Sequence, residues 1–162
     1  MAGQPMHELS ESERDRFRAD NIGYIFQDFH LISSLTVRQN IELVMPRGGT
    51  KRERMEQLDL WLSRVGLQDR GQHLPAQLSR GQQQRAAIIR ALITKPALIL
   101  ADEPTGSLDW ETASEMMSLL LEICEAEQLT LLTVTHDRHI AEMFPKRVYM
   151  QELNELLRSV PK

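Results

Sequence analysis

Two short apolar runs, at residues 97–101 and 129–134, constrain the fold of this chain more than any other feature. The segment between them, residues 111–127, has apolar residues at helical spacing and contains no glycine or proline. A strand, a helix and a second strand in this order form a βαβ unit, in which the two strands are parallel. Because both faces of a parallel sheet are normally covered, the uninterrupted runs predict two buried strands. The predicted fold class is therefore α/β.

Further elements are predicted on the N-terminal side of this unit. Residues 22–26 are apolar at every position but glycine and indicate another buried strand. Three Ser or Thr residues lie three positions before a Glu or Gln, a spacing typical of the capping boxes that open helices. Helices are expected at residues 10–19, 36–46, 50–65 and 83–94, with Gly66 as the C-terminal cap of the third. Residues 147–150 could form a last strand, whereas residues 152–160 look helical.

Composition excludes several classes of function. The formal net charge of -4 argues against a nucleic-acid partner, because phosphate neutralisation needs a basic face. No run approaches the roughly 18 consecutive apolar residues of a membrane span, and the N-terminus does not resemble a signal peptide. Cys124, the single cysteine, lies among apolar helix positions and indicates a core residue in a reducing compartment. We expect a cytoplasmic protein that reaches a membrane only through a partner.

Polar side chains follow all three predicted strands. Gln27 follows the first, the pair Asp102 and Glu103 follows the second, and His136 follows the third. Ligands of parallel sheets gather at the carboxyl ends of the strands, so these side chains are expected to meet. Adjacent carboxylates there suit metal-assisted phosphoryl chemistry, since one can hold Mg²⁺ and the next can orient water. Taken separately, each of these residues is more often part of a solvated turn or a helix start.

Four motifs in order resemble those of the ATP-binding-cassette (ABC) ATPases. LSRGQQQRAAIIRAL is similar to the family's signature motif, LILADEPTGSLD to its Walker B motif, YIFQDF to its Q-loop and TVTHD to its switch-histidine segment. The stretch ERDRFRADNIGYIFQDFHLI resembles the subgroup that powers lipoprotein release and macrolide-type export. The resemblance implies an incomplete P-loop NTPase (RecA-like) parallel sheet with an inserted all-α helical subdomain. It divides the chain into residues 1–35, the helical subdomain 36–95, the core segment 96–150 and a tail at 151–162.

The resemblance also implies roles around a bound ATP. Asp102 is expected to bind Mg²⁺, and Glu103 is expected to be the catalytic base that activates water. Gln27 would sense both Mg²⁺ and the transport domain. His136 would contact the γ-phosphate.

A second group of residues would act across a dimer. Ser79, Gly81 and Gln82 are expected to reach the γ-phosphate of nucleotide held by a second ATPase protomer, where helix N–H groups favour an anion. Asp109 would lie in the D-loop at the dimer interface. The other expected partner is a transmembrane permease subunit.

A phosphate-binding loop of the form GxxxxGK followed by Ser or Thr is not found in the 162 residues. In the family this loop precedes the Q-loop, so the chain is interpreted as truncated at its N-terminus and inactive alone. Its strand at residues 129–134 would then be an unpaired edge, in an unstable fragment or one completed by another polypeptide. Two smaller departures are Arg80, where the family usually has glycine, and the unusual C-terminal tail.

One other reading remains open, and a further one is disfavoured. The chain could be a non-catalytic module that docks to a membrane subunit or an intact ATPase. Chromosome-maintenance ATPases share the same motifs, but they place a long coiled coil between the Q-loop and the signature, and residues 28–78 lack sustained heptads.

Overall fold

The computed structural model describes residues 6–152 and contains three strands and six α-helices in that range. Short 3₁₀ turns occur at Met6–Glu8, Gln68–Arg70 and Pro75–Gln77. The strands are β1 (Ile22–Ile25), β2 (Leu98–Asp102) and β3 (Thr130–Val134). The helices are α1 (Glu11–Asn21), α2 (Val37–Glu42), α3 (Lys51–Arg64), α4 (Arg80–Leu92), α5 (Trp110–Ala126) and α6 (Arg138–Glu142).

Three of the four predicted helix starts are confirmed, because their capping boxes form in full, whereas α4 begins at Arg80 instead of the expected residue 83. In each box the hydroxyl of the first residue accepts from the backbone N–H three positions on, and the Glu or Gln side chain accepts from the cap N–H. Gly66 follows α3 with a φ of 70°, which suits glycine at a helix C-terminus. The boxes pair Ser10 with Glu13, Thr36 with Gln39, and Thr50 with Glu53.

The three strands form one parallel sheet in the order β1-β2-β3. Ile25 of β1 pairs with Ala101 of β2, and Ala101 pairs with Thr133 of β3. The βαβ prediction for β2, α5 and β3 is therefore confirmed. All carboxyl ends of these strands lie at the same edge.

One face of the sheet packs on helices α4 and α5. The buried strand residues Ile25 and Ile99 join the apolar faces of both helices in a continuous core. Cys124 of α5 is buried in this core, and burial raises the pKa of its thiol to about 11, in agreement with a packing role. Helices α2 and α3 pack against each other and against α4, so α4 lies between them and the sheet. The division at residues 36 and 95 remains a prediction.

The expectation that all three strands are buried on both faces is wrong. Tyr24 is 40% exposed, Leu132 57% and Val134 55%, so the second face of the sheet is largely open within residues 6–152. The rings of Tyr24 and Phe26 stack on this open face. As expected, β3 is an edge strand among the described residues.

The C-terminal expectations have mixed outcomes. Residues 147–149 have no regular structure, and residues 150–152 are helical, so no last strand forms there. The rest of the predicted tail helix, residues 153–160, lies outside the described residues. Across residues 6–152, every helix is too short or too polar to cross a membrane.

Candidate functional site

Glu103 and His136 are in direct contact at the carboxyl edge of the sheet. The Nδ1 atom of His136 lies 2.7 Å from Oε1 of Glu103, and the backbone N–H of His136 donates to the same oxygen at 2.8 Å. The hydroxyl of Thr135 donates to Oε2 at 3.0 Å. Both oxygens of the carboxylate are therefore held by the turn that follows β3.

Glu103 has a backbone conformation that is rare for a residue with a side chain. Its φ is 45°, in the left-handed region, which costs free energy and is often retained where geometry serves a site. The N–H of Glu103 donates to the carbonyl of Val134 at 2.9 Å, and the N–H of Gly106 donates to the carbonyl of Glu103 at 3.0 Å. The first bond ties Glu103 to the end of β3, and the second closes a tight turn, residues 103–106, directly after β2.

Gln27 reaches the same turn from β1. A Cβ atom added to Gly106 would lie 3.2 Å from Nε2 of Gln27 and 3.5 Å from Cβ of Glu103. The missing side chain at Gly106 thus lets Gln27 pack closely against the turn that carries Glu103. The structure therefore brings Gln27, Glu103 and His136 together, although they are far apart in the chain.

Asp102 ends β2 with an exposed side chain and pairs in register with Val134. Within residues 6–152, no group of three or more His, Cys, Asp or Glu side chains could hold a metal ion. Mg²⁺ often binds through one or two protein ligands plus water and phosphate oxygens, so this sparse donor set fits that mode. Asp102 is a carboxylate available to such an ion at this edge, and Gln27 reaches the turn that begins one residue later.

The second predicted group lies at the N-terminus of α4. Ser79 caps this helix, its hydroxyl accepts from the N–H of Gln82 at 3.2 Å, and the Gln82 side chain accepts from the N–H of Ser79 at 3.0 Å. A Cβ atom on Gly81 would lie 2.9 Å from Cγ2 of Thr112, so the glycine permits α4 to approach α5 closely. Each of these two polar side chains thus accepts from the backbone N–H of the other residue in this structure.

Asp109 caps the neighbouring helix α5. Its carboxylate accepts from the N–H of Thr112 at 3.0 Å and from the Thr112 hydroxyl at 2.8 Å, and the first of these bonds is the main cause of its lowered pKa. Arg80, the departure from the family pattern, donates to the carbonyl of Ser107 in the loop before Asp109. Between the described side chains of this group and those around Glu103 there is no direct hydrogen bond.

Two residues that fix the loop after Gln27 were missed at the sequence level. Asn40 is buried; its side-chain oxygen accepts from the N–H of Ile32 at 2.7 Å. The two N–H groups of its Nδ2 are shared among the carbonyls of Ile32, Leu35 and Thr36. Arg90 of α4 donates to the carbonyls of Phe29 and His30. The sequence offered one signal for Asn40, namely a polar residue among the apolar positions of a short capped helix.

The contact between Glu103 and His136 predicts a pH dependence. The hydrogen bond and the negative charge of Glu103 raise the pKa of His136 above 6.5, so the pair stabilises the fold at low pH and this contribution is lost as the pH rises through the raised pKa. An NMR titration of His136 should give a midpoint above 6.5, and Glu103→Gln should lower it. Glu125→Gln, on the exposed side of α5, is the control and should leave the midpoint unchanged. An unchanged midpoint in Glu103→Gln would show that the contact is not populated in solution.

Comparison with known proteins shows the family to which the chain belongs. Residues 1–106 match the family model described as ABC transporter. The chain is 40% identical over 152 residues to the lipoprotein-releasing system ATP-binding protein LolD of Psychrobacter arcticus, covering 92% of this chain and 67% of that protein. The chain belongs to the ABC transporter family. It is also 44% identical to the ABC transporter ATP-binding protein YtrE of Bacillus subtilis, covering 83% of this chain and 59% of that protein.

Solved structures of ABC cassettes agree with the fold. The dimeric post-hydrolysis structure of the cassette MJ0796, bound to ADP and Pi, superposes with a TM-score of 0.72 at 41% identity, covering 83% of this chain and 60% of that one. The subgroup expectation is also confirmed, since the similar ABC proteins include the macrolide export ATP-binding/permease protein MacB of Photorhabdus laumondii, at 44% identity over 87% of this chain and 22% of that protein. The chain spans about three fifths to two thirds of the length of LolD, YtrE and MJ0796.

Proposed function

We propose that this chain is the ATP-binding part of an ABC transporter in which ATP hydrolysis drives export. The observation that carries the proposal is the meeting of Gln27, Glu103 and His136 around one turn at the carboxyl edge of the sheet. A parallel sheet binds its ligands at that edge, and the residues there are the types that phosphoryl transfer uses. Membership of the ABC transporter family indicates that the nucleotide is ATP. The ADP and Pi bound to the similar cassette MJ0796 support this choice of nucleotide.

Each residue has a role that its position supports. Glu103 is the base that accepts a proton from the attacking water, because its carboxylate is fixed by Thr135 and His136. The His136 imidazole, 83% exposed at the side chain, is free to turn from Glu103 towards a γ-phosphate. Asp102 and Gln27 would hold Mg²⁺. When bound, that ion neutralises charge that develops on the phosphates.

We further propose that the α4 N-terminus serves a second protomer. Helix N–H groups carry partial positive charge, which favours an anion at this end of α4. Ser79, Gln82 and Asp109 would then rearrange from their intramolecular bonds when a nucleotide on the second ATPase protomer arrives. The other partner is a transmembrane permease subunit, which would hold the chain at the inner, cytoplasmic face of the membrane.

Complementation tests the catalytic assignment. The chain is combined with a polypeptide that supplies a GxxxxGK[ST] loop, and steady-state ATP hydrolysis is measured. We expect Glu103→Gln to lower the rate at least roughly a hundredfold, the usual contribution of a general base, while Glu125→Gln retains it.

Two outcomes would contradict the proposal in different ways. A Glu103→Gln variant as active as the parent would show that this carboxylate is not the base. Binding of the supplied polypeptide without any hydrolysis would favour the non-catalytic docking module instead.

A further inference from the structure

Gln84 of helix α4 has a buried amide that the proposed chemistry leaves unused. Its relative exposure is 0%, and Ala87, Ile88 and Ala91, which share its side of the helix, are also buried. The Nε2 atom donates to the backbone carbonyl of Pro104. The Oε1 atom is buried without a hydrogen-bond partner among the described residues. A buried polar group that is only half satisfied destabilises the fold, so packing alone gives no reason for an amide here.

The carbonyl that Gln84 binds belongs to the turn that positions the proposed base. Pro104 is the second residue of the turn at 103–106, and its neighbour Glu103 carries the left-handed φ of 45°. Pro104 and Thr105 are both buried, so this carbonyl has little access to water. The amide of Gln84 therefore restrains the turn from its buried side, while the contacts with Thr135 and His136 restrain it from the other side.

The same helix carries the residues that the second protomer would contact. Ser79 caps α4, and Gln84 lies five positions later on the side that faces the turn. A tilt or shift of α4 would therefore pull on the Pro104 carbonyl directly. No other side chain of α4 hydrogen-bonds to residues 103–106 in the described structure.

We propose that Gln84 is a positioning residue that couples helix α4 to the Glu103 turn. Its hydrogen bond holds Glu103 in place when α4 is docked, and releases the turn when α4 moves away. The consequence for hydrolysis rests on the proposed function, whereas the restraint on the turn is a property of this chain and can be measured without nucleotide.

The test measures amide hydrogen exchange by NMR in the full chain. Gln84→Met keeps the length of the side chain and its helix preference but removes the donor. We expect exchange of the Gly106 and His136 amides to rise about threefold to tenfold, as expected for the loss of one hydrogen bond, while amides of the β1–β2 ladder stay at their parent rates. Gln83→Met is the matched control, since it removes the bond from the adjacent Gln83 to the carbonyl of Leu78 and should leave the turn unchanged.

A second variant keeps the proposal open to refutation if Gln84→Met does not fold. In Gln84→Glu only the protonated carboxyl can donate to Pro104, so protection of Gly106 should match the parent at acid pH and fall as the carboxyl ionises. Equal acceleration of all amides in Gln84→Met, or no change at Gly106, would overturn the coupling. So would protection in Gln84→Glu that follows the parent at every pH. None of these results bears on whether Glu103→Gln abolishes complemented hydrolysis, so the two proposals can fail separately.

Discussion

A protein made of these 162 residues alone is expected to show no saturable binding of Mg-ATP and no hydrolysis. Triphosphate binding in P-loop proteins needs clustered backbone N–H groups and one lysine around the β- and γ-phosphates. None of the four lysines lies in such a loop. The site edge instead carries Asp102 and Glu103, and the whole chain has a net charge of -4, so the triphosphate would meet repulsion.

Equilibrium binding of a fluorescent ATP analogue with Mg²⁺ measures this prediction. A full-length relative that contains the phosphate loop is the positive control. The chain should give a linear, unsaturated signal at concentrations where the control is fully bound. Saturable binding in the micromolar range would mean that the sheet edge around Gln27 and Asp102 is enough to bind the nucleotide. The prediction that binding needs a GxxxxGK[ST] loop would then be wrong.

Helix starts and strand positions could be predicted from the sequence because they follow local rules. A capping box involves residues three positions apart, so Thr50 and Glu53 indicate α3 without knowledge of the fold. The placement of Gln27 and His136 at the same edge of the sheet was also predictable, since parallel strands share a carboxyl edge. The left-handed turn at Glu103 was not, because it depends on bonds to residues about thirty positions away.

Burial of the strands was predicted wrongly for a related reason. An apolar run shows that both faces can be buried, but it does not show whether the covering element belongs to the same stretch of chain. Leu132 and Val134 have the apolar character of a central strand and yet are exposed in β3. Gln84 was likewise hidden at the sequence level, because its polar neighbours Gln82 and Gln83 made it look like part of a solvated helix start.

The second large expected effect is a loss of stability in Gly23→Ala, because β1 packs closely on α4 at this glycine. A Cβ atom at Gly23 would lie 2.3 Å from the carbonyl oxygen of Ala91 and 2.8 Å from Cδ1 of Ile99. The first contact is with backbone, which cannot turn aside, so β1 must move away from the C-terminal part of α4. Overpacking of a core typically costs 1–3 kcal/mol, and we expect about 3 kcal/mol here.

Urea unfolding followed by circular dichroism measures this loss. Gly48→Ala is the matched control, because a Cβ atom there meets nothing within 4 Å, and its free energy of unfolding should stay within about 0.5 kcal/mol of the parent. Since β1 carries Gln27 to the site, Gly23→Ala should also increase hydrogen exchange in the loop at residues 28–35. Equal unfolding midpoints for the two variants would show that β1 does not pack on α4 this closely, and the approach of Gln27 to the Glu103 turn would lose its support.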